Sequence, residues 1–485
     1  MMNPLLLTDG YKVDHRRQYP EKTTLVYSNW TPRKSRIEGV DHVTFFGLQY
    51  FIKKYIIEEF EKNFFSQPKE KVVAAYARRV DNYLGPNSVG KEHIAALHDL
   101  GYIPMVFKAL PEGVSVPIRV PMFTMYNTIP EFFWLTNYFE TLLSTTIWMP
   151  CNSATIARQY RLLLDKYARE TSSTPEFVDW QGHDFSMRGM AALEAALISG
   201  AGHLLSFTGT DTIPAIDFLE KYYNANASEE LVGGSVAATE HSVMSMGTNR
   251  KEEDTFKRLI TEVYPNGIVS VVSDTWDLWR VLVDYLPSLK EEILGRDGKL
   301  VIRPDSGDPV KIICGDPDAE DENIRKGVIQ LLWETFGGHV NEKGYKELDS
   351  HVGAIYGDSI TIERAEKICE GLKQKGFAST NVVLGIGSYT YQFNTRDTFG
   401  FAMKATYGEV NGVGRDIYKD PVTDDGTKKS ARGLIKIIKE DNTYRMVDRV
   451  SWEEENEGEL KEVFRDGRLL IDYTLSDIRN NVHSN

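Results

Sequence analysis

The sequence predicts an α/β protein. A (β/α) barrel-like domain over residues 151–390 is joined by a mixed α+β domain built from residues 1–150 and 391–485. In the middle of the chain, short apolar runs alternate with helical stretches at intervals of roughly thirty residues, which is typical of successive βα units. On either side of that region the pattern changes to strands with alternating apolar residues and to amphipathic helices, which indicates a second domain.

Length, charge and cysteine content limit the classes of protein to consider. The chain has 485 residues, a length typical of two domains. Its 56 basic and 70 acidic side chains give a formal charge of −14, which argues against a nucleic-acid surface over the whole molecule. Three widely spaced cysteines indicate a reducing compartment. We find no signal-peptide pattern and no apolar run approaching about 18 residues, so we expect a cytoplasmic protein.

The first 170 residues predict a mixture of strands and helices. Alternating apolar residues predict antiparallel strands within 106–128. Apolar residues at helical spacing predict an amphipathic helix over 153–170. The remaining predicted elements are a strand over 23–33 and helices over 47–64, 69–84 and 130–147.

Seven apolar strands are predicted in the barrel-like domain, and each is followed by polar or glycine residues. The strands end near residues 182–184, 208–211, 240–241, 273–274, 303–307, 357–358 and 385–387. In a (β/α) barrel the carboxyl ends of the strands share one face, and active sites lie on that face. An open doubly wound sheet would not bring seven ends around one pocket, so an incomplete barrel of about seven strands is favoured.

The stretch 233–247 carries a candidate functional histidine. A run of small and apolar residues over 235–238 predicts a buried strand that ends in Glu240 and His241. A histidine titrates near neutrality and can store or relay charge, and a neighbouring glutamate can orient it. A structural histidine is the alternative interpretation. The recurrence of charged strand ends before and after this stretch favours function.

The strand ends together supply groups suited to a phosphorylated nucleoside. Carboxylates suit ribose hydroxyls, glycine backbone N–H groups suit phosphate, and arginine suits pyrophosphate. An aromatic face suits a flat ring. The residues concerned are Asp184, Asp211, Glu240, Asp274, Asp305, Asp358, His183, His241, Arg188, Arg303 and Phe185.

For several of these residues a purely structural role is the alternative to a functional one. Asp211 is equally suited to cap the helix that follows it, and Phe185 is equally suited to the core. Lys428 is compatible with a solvated loop. The pair Arg303 and Asp305 is hardest to explain structurally, because the strand before it is apolar.

A metal hydrolase is a further alternative. His183, His203 and His241 are potential zinc ligands, but the HxH pair that usually accompanies such barrel sites is absent from the sequence. His203 follows a helix of small residues, which favours packing. The sequence therefore disfavours a zinc site.

The motifs resemble those of the nicotinamide phosphoribosyltransferase family. The resemblance runs from about residue 5 to the C-terminal strands, in order and without large gaps. The segments that carry it are 7–20, 183–189, 207–212, 237–242, 271–274, 302–307, 394–397 and 419–422.

The resemblance implies a dimeric type II phosphoribosyltransferase of NAD salvage, with active sites at the subunit interface. Such an enzyme joins nicotinamide to 5-phosphoribosyl 1-pyrophosphate and releases nicotinamide mononucleotide and pyrophosphate. It implies that ATP, as an activating co-substrate, phosphorylates His241, with Glu240 and Asp274 as supporting carboxylates. Mg²⁺ is expected to be held mainly by substrate phosphates, without a dedicated protein site. No nucleic-acid or membrane partner is implied.

The resemblance also implies roles for individual residues. Phe185, Asp211, Arg303 and Tyr11 of the partner subunit would hold nicotinamide. Ribose and its 5′-phosphate would contact Asp305, Gly357, Asp358, Gly387, Ser388, Arg396 and Lys404. Pyrophosphate or ATP would contact Arg33, Arg188, His183, Ser235, Ser270, Lys419 and Lys428.

Two departures from the family pattern affect the phosphate site. Ser388, Tyr389 and Thr390 stand where the animal enzymes have a run of glycines. Ala402 stands where those enzymes have a serine. Backbone N–H groups remain available for phosphate in both cases.

Two rival functions are weighed against this interpretation. Nicotinate phosphoribosyltransferase is disfavoured, because the carboxylate of Asp211 would repel the carboxylate of nicotinate. A non-catalytic nucleotide-binding protein of the same fold is disfavoured by the intact set His241, Asp211, Arg303 and Asp305.

Overall fold

The computed structural model describes residues 2–86, 88–247, 251–357, 359–418 and 431–484. The predicted site residues Asp358, Lys419 and Lys428 lie outside these ranges. Two compact units are distinguished by their internal contacts. Unit 1 consists of Met1–Thr155, Phe218–Ala225 and Asn394–Asn485, and unit 2 consists of Ile156–Asp217 and Asn226–Phe393. Among the described helices, none combines the length and apolar character needed to cross a membrane.

The strands have the following bounds in chain order: β1 (Thr23–Thr31), β2 (His42–Thr44), β3 (Met105–Ala109), β4 (Ser115–Pro117), β5 (Phe123–Asn127), β6 (Gly182–Asp184), β7 (Gly209–Thr210), β8 (Ala237–Ala238), β9 (Asn266–Val272), β10 (Asp297–Arg303), β11 (Gly338–Val340), β12 (Lys346–Leu348), β13 (Val352–Tyr356), β14 (Val382–Ile386), β15 (Ala402–Val410), β16 (Val413–Asp416), β17 (Leu434–Glu440), β18 (Thr443–Val450), β19 (Lys461–Arg465) and β20 (Arg468–Leu469).

The α-helices are α1 (His15–Gln18), α2 (Leu48–Phe51), α3 (Lys69–Leu84), α4 (Glu92–Leu100), α5 (Leu135–Tyr138), α6 (Glu140–Thr171), α7 (Val178–Gln181), α8 (Leu193–His203), α9 (Ile213–Tyr223), α10 (His241–Met246), α11 (Glu252–Arg258), α12 (Leu278–Arg280), α13 (Leu286–Ser288), α14 (Lys290–Leu294), α15 (Pro309–Cys314), α16 (Glu322–Lys326), α17 (Val328–Phe336), α18 (Ile362–Gln374), α19 (Ser388–Gln392), α20 (Trp452–Asn456) and α21 (Leu475–His483). Short 3-10 and π turns connect or extend several of them.

An antiparallel sheet organises unit 1, with strand order β16-β15-β1-β5-β3-β19-β20. Strand β1 lies inside this sheet and is rich in β-branched and aromatic residues, which favour strands. The Trp30 side chain is buried and stacks on Phe401, with ring centroids 5.4 Å apart. The segment 106–128 does contain antiparallel strands, as predicted, and β3 pairs with β5. Strand β4, between them, pairs with β2.

Helix α6 is longer than the sequence predicted. Residues 130–147 and 153–170 were expected to form separate helices, but α6 is continuous from Glu140 to Thr171 and contains Pro150. Proline removes one helical hydrogen bond and normally interrupts a helix. Here Ile147, Cys151 and Ala154 are all buried around it, and their packing outweighs the lost hydrogen bond.

A sheet of seven parallel strands forms the centre of unit 2, in the order β7-β6-β14-β13-β10-β9-β8. The two outer strands also meet, because a parallel bridge joins Gly209 of β7 to Gly234, just before β8. The sheet therefore curls back on itself. Each of its strands ends where one of the seven predicted strands was expected to end. The predicted barrel-like α/β fold with a second mixed domain is confirmed.

A buried ion pair in unit 1 provides a test of the packing. The Lys108 ammonium lies 2.5 Å from the Glu455 carboxylate, and their side chains are only 3% and 0% exposed. Replacing Lys108→Met leaves a buried carboxylate without its cation, so we expect the free energy of unfolding to fall by about 3–5 kcal/mol. The measurement is urea denaturation.

The exposed pair Lys367 and Glu363 supplies the control. Lys367→Met should lower the free energy of unfolding by less than about 0.5 kcal/mol. The double variant Lys108→Met/Glu455→Leu should recover most of the loss seen in Lys108→Met. If Lys108→Met lowers the free energy of unfolding no more than Lys367→Met does, the buried ion pair does not have the predicted effect on stability.

Candidate active site

A cavity of about 520 Å³ opens among the strands of the unit 2 sheet. Apolar side chains of the strands, including Val301, Ile355 and Val383, line its interior. Six residues predicted from the sequence to belong to the site also line it, namely His183, Phe185, Asp211, Ser235, Ser270 and Arg303. The curled sheet therefore brings together residues that are up to 120 positions apart in the chain (303 − 183 = 120).

The carboxylate of Asp211 is held by two donors. Its Oδ1 accepts a hydrogen bond from His183 Nε2 at 2.9 Å and another from the Ser235 hydroxyl at 2.7 Å. Burial by itself would raise the pKa of Asp211, but the hydrogen bonds from His183 and Ser235 and the charge of Arg303 hold the pKa below its ordinary value. An ionised carboxylate only accepts hydrogen bonds, so this group selects a donor in the cavity.

The position of His183 depends on a glycine in the neighbouring strand. A Cβ atom at Gly209 would lie 2.7 Å from His183 Nδ1, well inside van der Waals contact. The absence of a side chain at position 209 therefore lets the imidazole lie against β7 and reach Asp211. The His183 ring in turn lies 4.5 Å from the ring of Phe185, centroid to centroid.

Arg303 and Ser270 direct polar atoms into the cavity. The Arg303 guanidinium donates from Nη2 to the carbonyl of Thr239. Its Nε and the Ser270 hydroxyl are buried and have no hydrogen-bond partner among the described residues. Burial lowers the pKa of Arg303, against the opposing effect of nearby carboxylates. Buried polar groups are normally paired, so the wall of the cavity contains two polar atoms whose hydrogen-bonding capacity is unused by the described residues.

His241 begins α10 and is bounded by two loops that follow neighbouring strands. Its Nδ1 lies 3.0 Å from the Thr275 hydroxyl, and its Nε2 lies 3.2 Å from Oδ1 of Asp305. Oδ1 of Asp274 lies 3.9 Å from the same Nε2. One ring nitrogen therefore faces two carboxylates, while the other faces a hydroxyl.

Asp274 also shapes the loop that carries Asp305. Its Oδ2 accepts from the backbone N–H groups of Asp305 and Ser306, both at 2.9 Å, and from the Ser306 hydroxyl at 2.6 Å. Its Oδ1 is buried and has no hydrogen-bond partner among the described residues. Glu240, which the sequence placed beside His241, accepts from the Ser242 hydroxyl. The carboxylates nearest the imidazole are thus those of Asp305 and Asp274.

The zinc alternative is not supported by the position of His203. This residue is fully buried; its Nδ1 lies 2.7 Å from the Tyr391 hydroxyl and its Nε2 lies 3.0 Å from the carbonyl of Gly209. Burial lowers the pKa of His203 to about 4. Both of its nitrogens are thus occupied in the fold. Among the described residues, the group of three potential metal ligands is His241, Asp274 and Asp305, with ligand atoms within 4.8 Å of one another.

The predicted phosphate residues of unit 2 lie at loop positions. Gly387 adopts an extended backbone just before α19, and Ser388 is the first residue of that helix. Arg188 lies exposed in the short turn Met187–Gly189. Gly357 follows β13, and its N–H donates to the carbonyl of Pro304 at 3.0 Å.

The remaining predicted residues belong to unit 1. Tyr11 is 61% exposed, and its ring lies 5.0 Å from that of His15. Tyr11 and Arg396 line a pocket of about 260 Å³ together with Glu140. Arg33 donates from Nε to the carbonyl of Gly400 at 3.1 Å.

Lys404 lies in a basic environment within unit 1. Partial desolvation lowers the pKa of Lys404, and the positive charges of Arg33, Lys12 and Arg396 lower it further against the opposing effect of Glu140. Clustered cations create a region of positive potential that is suited to an anion. Ala402, two residues earlier in β15, is buried and cannot supply a hydroxyl to it.

A family model described as the nicotinate phosphoribosyltransferase (NAPRTase) family matches residues 180–468. The chain belongs to this family. A second model, the N-terminal domain of nicotinamide phosphoribosyltransferase, matches residues 3–95. The resemblance inferred from the sequence motifs is confirmed.

Curated relatives in the NAPRTase family share most of their length with this chain. A nicotinamide phosphoribosyltransferase of Acinetobacter baylyi is 56% identical over 490 residues, which is 99% of this chain and 96% of the relative. A nicotinamide phosphoribosyltransferase of Mycoplasma pneumoniae is 39% identical, over 88% of this chain and 94% of the relative.

Solved structures show the same fold at low sequence identity. Nicotinate-nucleotide pyrophosphorylase from Pyrococcus furiosus matches with a TM-score of 0.60 at 13% identity, over 100% of this chain and 96% of that one. Human nicotinic acid phosphoribosyltransferase matches with a TM-score of 0.55 at 15% identity, over 98% and 93% of the two chains.

Sequence reasoning assigned no role to four polar residues near the predicted site. Thr275 contacts His241, Thr239 binds Arg303, and Ser306 binds Asp274. Asp184 was noted as a strand-end carboxylate but received no role. The position of Thr275 directly after a predicted strand-end aspartate was the available signal. The other contacts depend on which strands are neighbours.

The contact between Gly209 and His183 gives a testable prediction. Gly209→Ala should lower the free energy of unfolding by about 1–3 kcal/mol, because the new methyl group overlaps the imidazole. The same substitution should cost much less in a His183→Ala background, where the ring is absent. Denaturation of the four proteins of this cycle checks the coupling. If Gly209→Ala lowers the free energy of unfolding equally in both backgrounds, overlap with the His183 ring is not the cause of the destabilisation.

Proposed function

We propose that the protein is a nicotinamide phosphoribosyltransferase, a pentosyltransferase of NAD salvage. It joins nicotinamide to 5-phosphoribosyl 1-pyrophosphate and releases nicotinamide mononucleotide and pyrophosphate. The observation that carries this proposal is the ionised Asp211 carboxylate, held by His183 and Ser235 in the cavity that Arg303 also lines. The 56% identity to a protein of that name supports it.

The cavity has the groups needed to distinguish an amide from an acid. Asp211 accepts hydrogen bonds and so binds the NH₂ group of a carboxamide. Arg303, whose side chain lines the cavity, would donate from its guanidinium to the carboxamide oxygen. The carboxylate of nicotinate would lie next to the carboxylate of Asp211. Neither group has a proton to donate, so the two negative charges would repel each other. This repulsion favours nicotinamide over nicotinate.

The pyridine ring is placed against Phe185 in this proposal. Phe185 lines the cavity next to His183 and presents an aromatic face. Tyr11 of the partner subunit would cover the opposite face in a homodimer. Its high exposure in the single chain is consistent with such a role.

Displacement of pyrophosphate from ribose C1 develops positive charge on the sugar and negative charge on the leaving group. The described cations Arg188, Arg33, Arg396 and Lys404 would bind the phosphates and stabilise the second charge. Mg²⁺ carried by the substrate phosphates would neutralise them further. Asp274 and Asp305 fit that ion, because they offer carboxylate oxygens, one of them buried and without a partner. Asp358, Lys419 and Lys428 keep their predicted roles here.

His241 would act as a phosphoryl acceptor from ATP. Asp305 and Asp274 lie near Nε2 and stabilise positive charge there. The attacking atom would be Nδ1, which lies 3.0 Å from the Thr275 hydroxyl and would exchange that contact for the phosphoryl group. Transfer of the γ-phosphate forms a phosphorus–nitrogen bond and releases ADP. Hydrolysis of this phosphohistidine would drive the reaction toward synthesis of the mononucleotide.

We also propose a cytoplasmic location, which the three buried free cysteines support.

The first test is a product assay with nicotinamide or nicotinic acid, phosphoribosyl pyrophosphate and Mg²⁺, with and without ATP. We expect mononucleotide from the amide, formed faster with ATP, and loss of the ATP effect in His241→Ala. Turnover of the acid alone would assign the protein to the nicotinate enzymes. Absence of turnover with every substrate would favour a nucleotide-binding protein without catalysis.

The role of Asp211 can be tested by charge removal. Asp211→Asn keeps the shape of the side chain but removes the charge that repels nicotinate. The ratio of kcat/KM for nicotinamide to that for nicotinic acid should fall by at least about tenfold, the effect of losing one charged hydrogen bond. Asp217→Asn, at an exposed carboxylate on α9, is the matched control and should leave the ratio unchanged. An unchanged ratio in Asp211→Asn would refute this role.

A further inference from the structure

A buried carboxylate lies beneath the proposed nicotinamide site. Asp184 is the last residue of β6, and its side chain is 0% exposed. Its Oδ1 accepts from the backbone N–H of Ser186 at 2.9 Å. Its Oδ2 accepts from the hydroxyls of Thr212 at 2.7 Å and Thr210 at 3.3 Å. One side chain thus binds two separate loops.

These two loops carry the two residues that would contact nicotinamide. Ser186 directly follows Phe185, and the two threonines flank Asp211 in the chain. The backbone of Asp184 adds a further link, because its carbonyl accepts from the N–H of Asp211 at 2.9 Å. Asp184 therefore contributes both side-chain and backbone links between the segments that carry Phe185 and Asp211, in addition to the pairing of β6 with β7 and the hydrogen bond from His183 to Asp211.

The sheet itself does not require a carboxylate at this position. The backbone of β6 pairs with β7 and β14, and these hydrogen bonds are independent of the side chain. A buried carboxylate carries a large desolvation cost, which an apolar residue would avoid. Helix α8 closes the site from one side, since a Cβ at Gly200 would lie 3.4 Å from Oδ2 of Asp184. The hydrogen bonds to the two loops are what the carboxylate provides.

We infer that Asp184 is a positioning residue that fixes the spacing between Phe185 and Asp211 and so determines the affinity for the carboxamide substrate. It does not touch the substrate, because both of its oxygens are occupied by protein donors. The inference rests on the proposed function and assigns to Asp184 an effect on one substrate only. Phosphoribosyl pyrophosphate has no predicted contact with Phe185 or Asp211. Its predicted contact Arg188 lies exposed in the turn Met187–Gly189, so its KM should change much less.

The test is a comparison of the two KM values in Asp184→Asn. The asparagine amide places a donor where the carboxylate accepts, opposite either the Ser186 N–H or the threonine hydroxyls. We expect KM for nicotinamide to rise at least about tenfold, while KM for phosphoribosyl pyrophosphate changes less than about twofold. Thr212→Val, which removes one donor and keeps the side-chain shape, should raise the same KM by a smaller factor.

Asp179→Asn is the matched control. Asp179 lies in α7, just before β6, and pairs with Arg161 at 2.7 Å, away from the two loops. The variant Asp179→Asn should leave the KM values for nicotinamide and for phosphoribosyl pyrophosphate unchanged. Equal rises of both KM values in Asp184→Asn, or a lower melting temperature with unchanged KM for nicotinamide, would overturn the inference. If Asp184→Asn does not fold, an unchanged KM in Thr212→Val would overturn it.

The wild-type protein separates failure of this inference from failure of the proposed function. Wild-type turnover of nicotinamide and phosphoribosyl pyrophosphate is measured under the same conditions. A wild type that makes no mononucleotide refutes the proposed function. A wild type that is active, together with an Asp184→Asn variant whose KM for nicotinamide is normal, refutes only the positioning role.

Discussion

Parallel pairing of seven short strands places every functional side chain of unit 2. The carboxyl ends of parallel strands point the same way, so the residues that follow them collect at one edge of the sheet. The bridge between Gly209 and Gly234 brings the outer strands together, and a cavity remains in the interior. Glycine at position 209 also leaves room for the His183 ring. Without this curled sheet, Asp211 and Arg303 would not line one cavity.

The candidate site of unit 2 is an arrangement of charged groups that the fold holds in fixed positions. Asp211 stays ionised because His183 and Ser235 donate to it, and its remaining acceptor capacity faces the cavity. Asp274 and Asp305 lie on one side of His241, where they can stabilise positive charge on the ring. Within unit 1, cations gather around Lys404. Fixed charges of this kind suit a reaction in which charge develops on the sugar and on the leaving group, since positioning and electrostatics then supply most of the rate.

The sequence was informative about the strands and less so about the contacts between them. Short apolar runs located β9, β10, β13 and β14, because buried parallel strands are rich in apolar residues. The short strands β6 and β7 contain glycine and polar residues and were located from their polar ends. The contact of Asp305 with His241 could not be predicted, since it depends on the path of the loop after β10 and on Asp274, which binds that loop. The continuity of α6 through Pro150 was also missed, because burial of the neighbouring residues outweighed the local preference for a break. Motif resemblance proposed the residues of the site, and the pairing of neighbouring strands determines the contacts that they make within the fold.

Recognition of the substrate carboxamide by Asp211 can be tested by a crystal structure with nicotinamide mononucleotide. We expect the carboxamide nitrogen within hydrogen-bond distance of the Asp211 carboxylate and the carboxamide oxygen facing Arg303. A carboxamide turned away from Asp211, or a pyridine ring bound outside the cavity lined by Phe185 and His183, would contradict it.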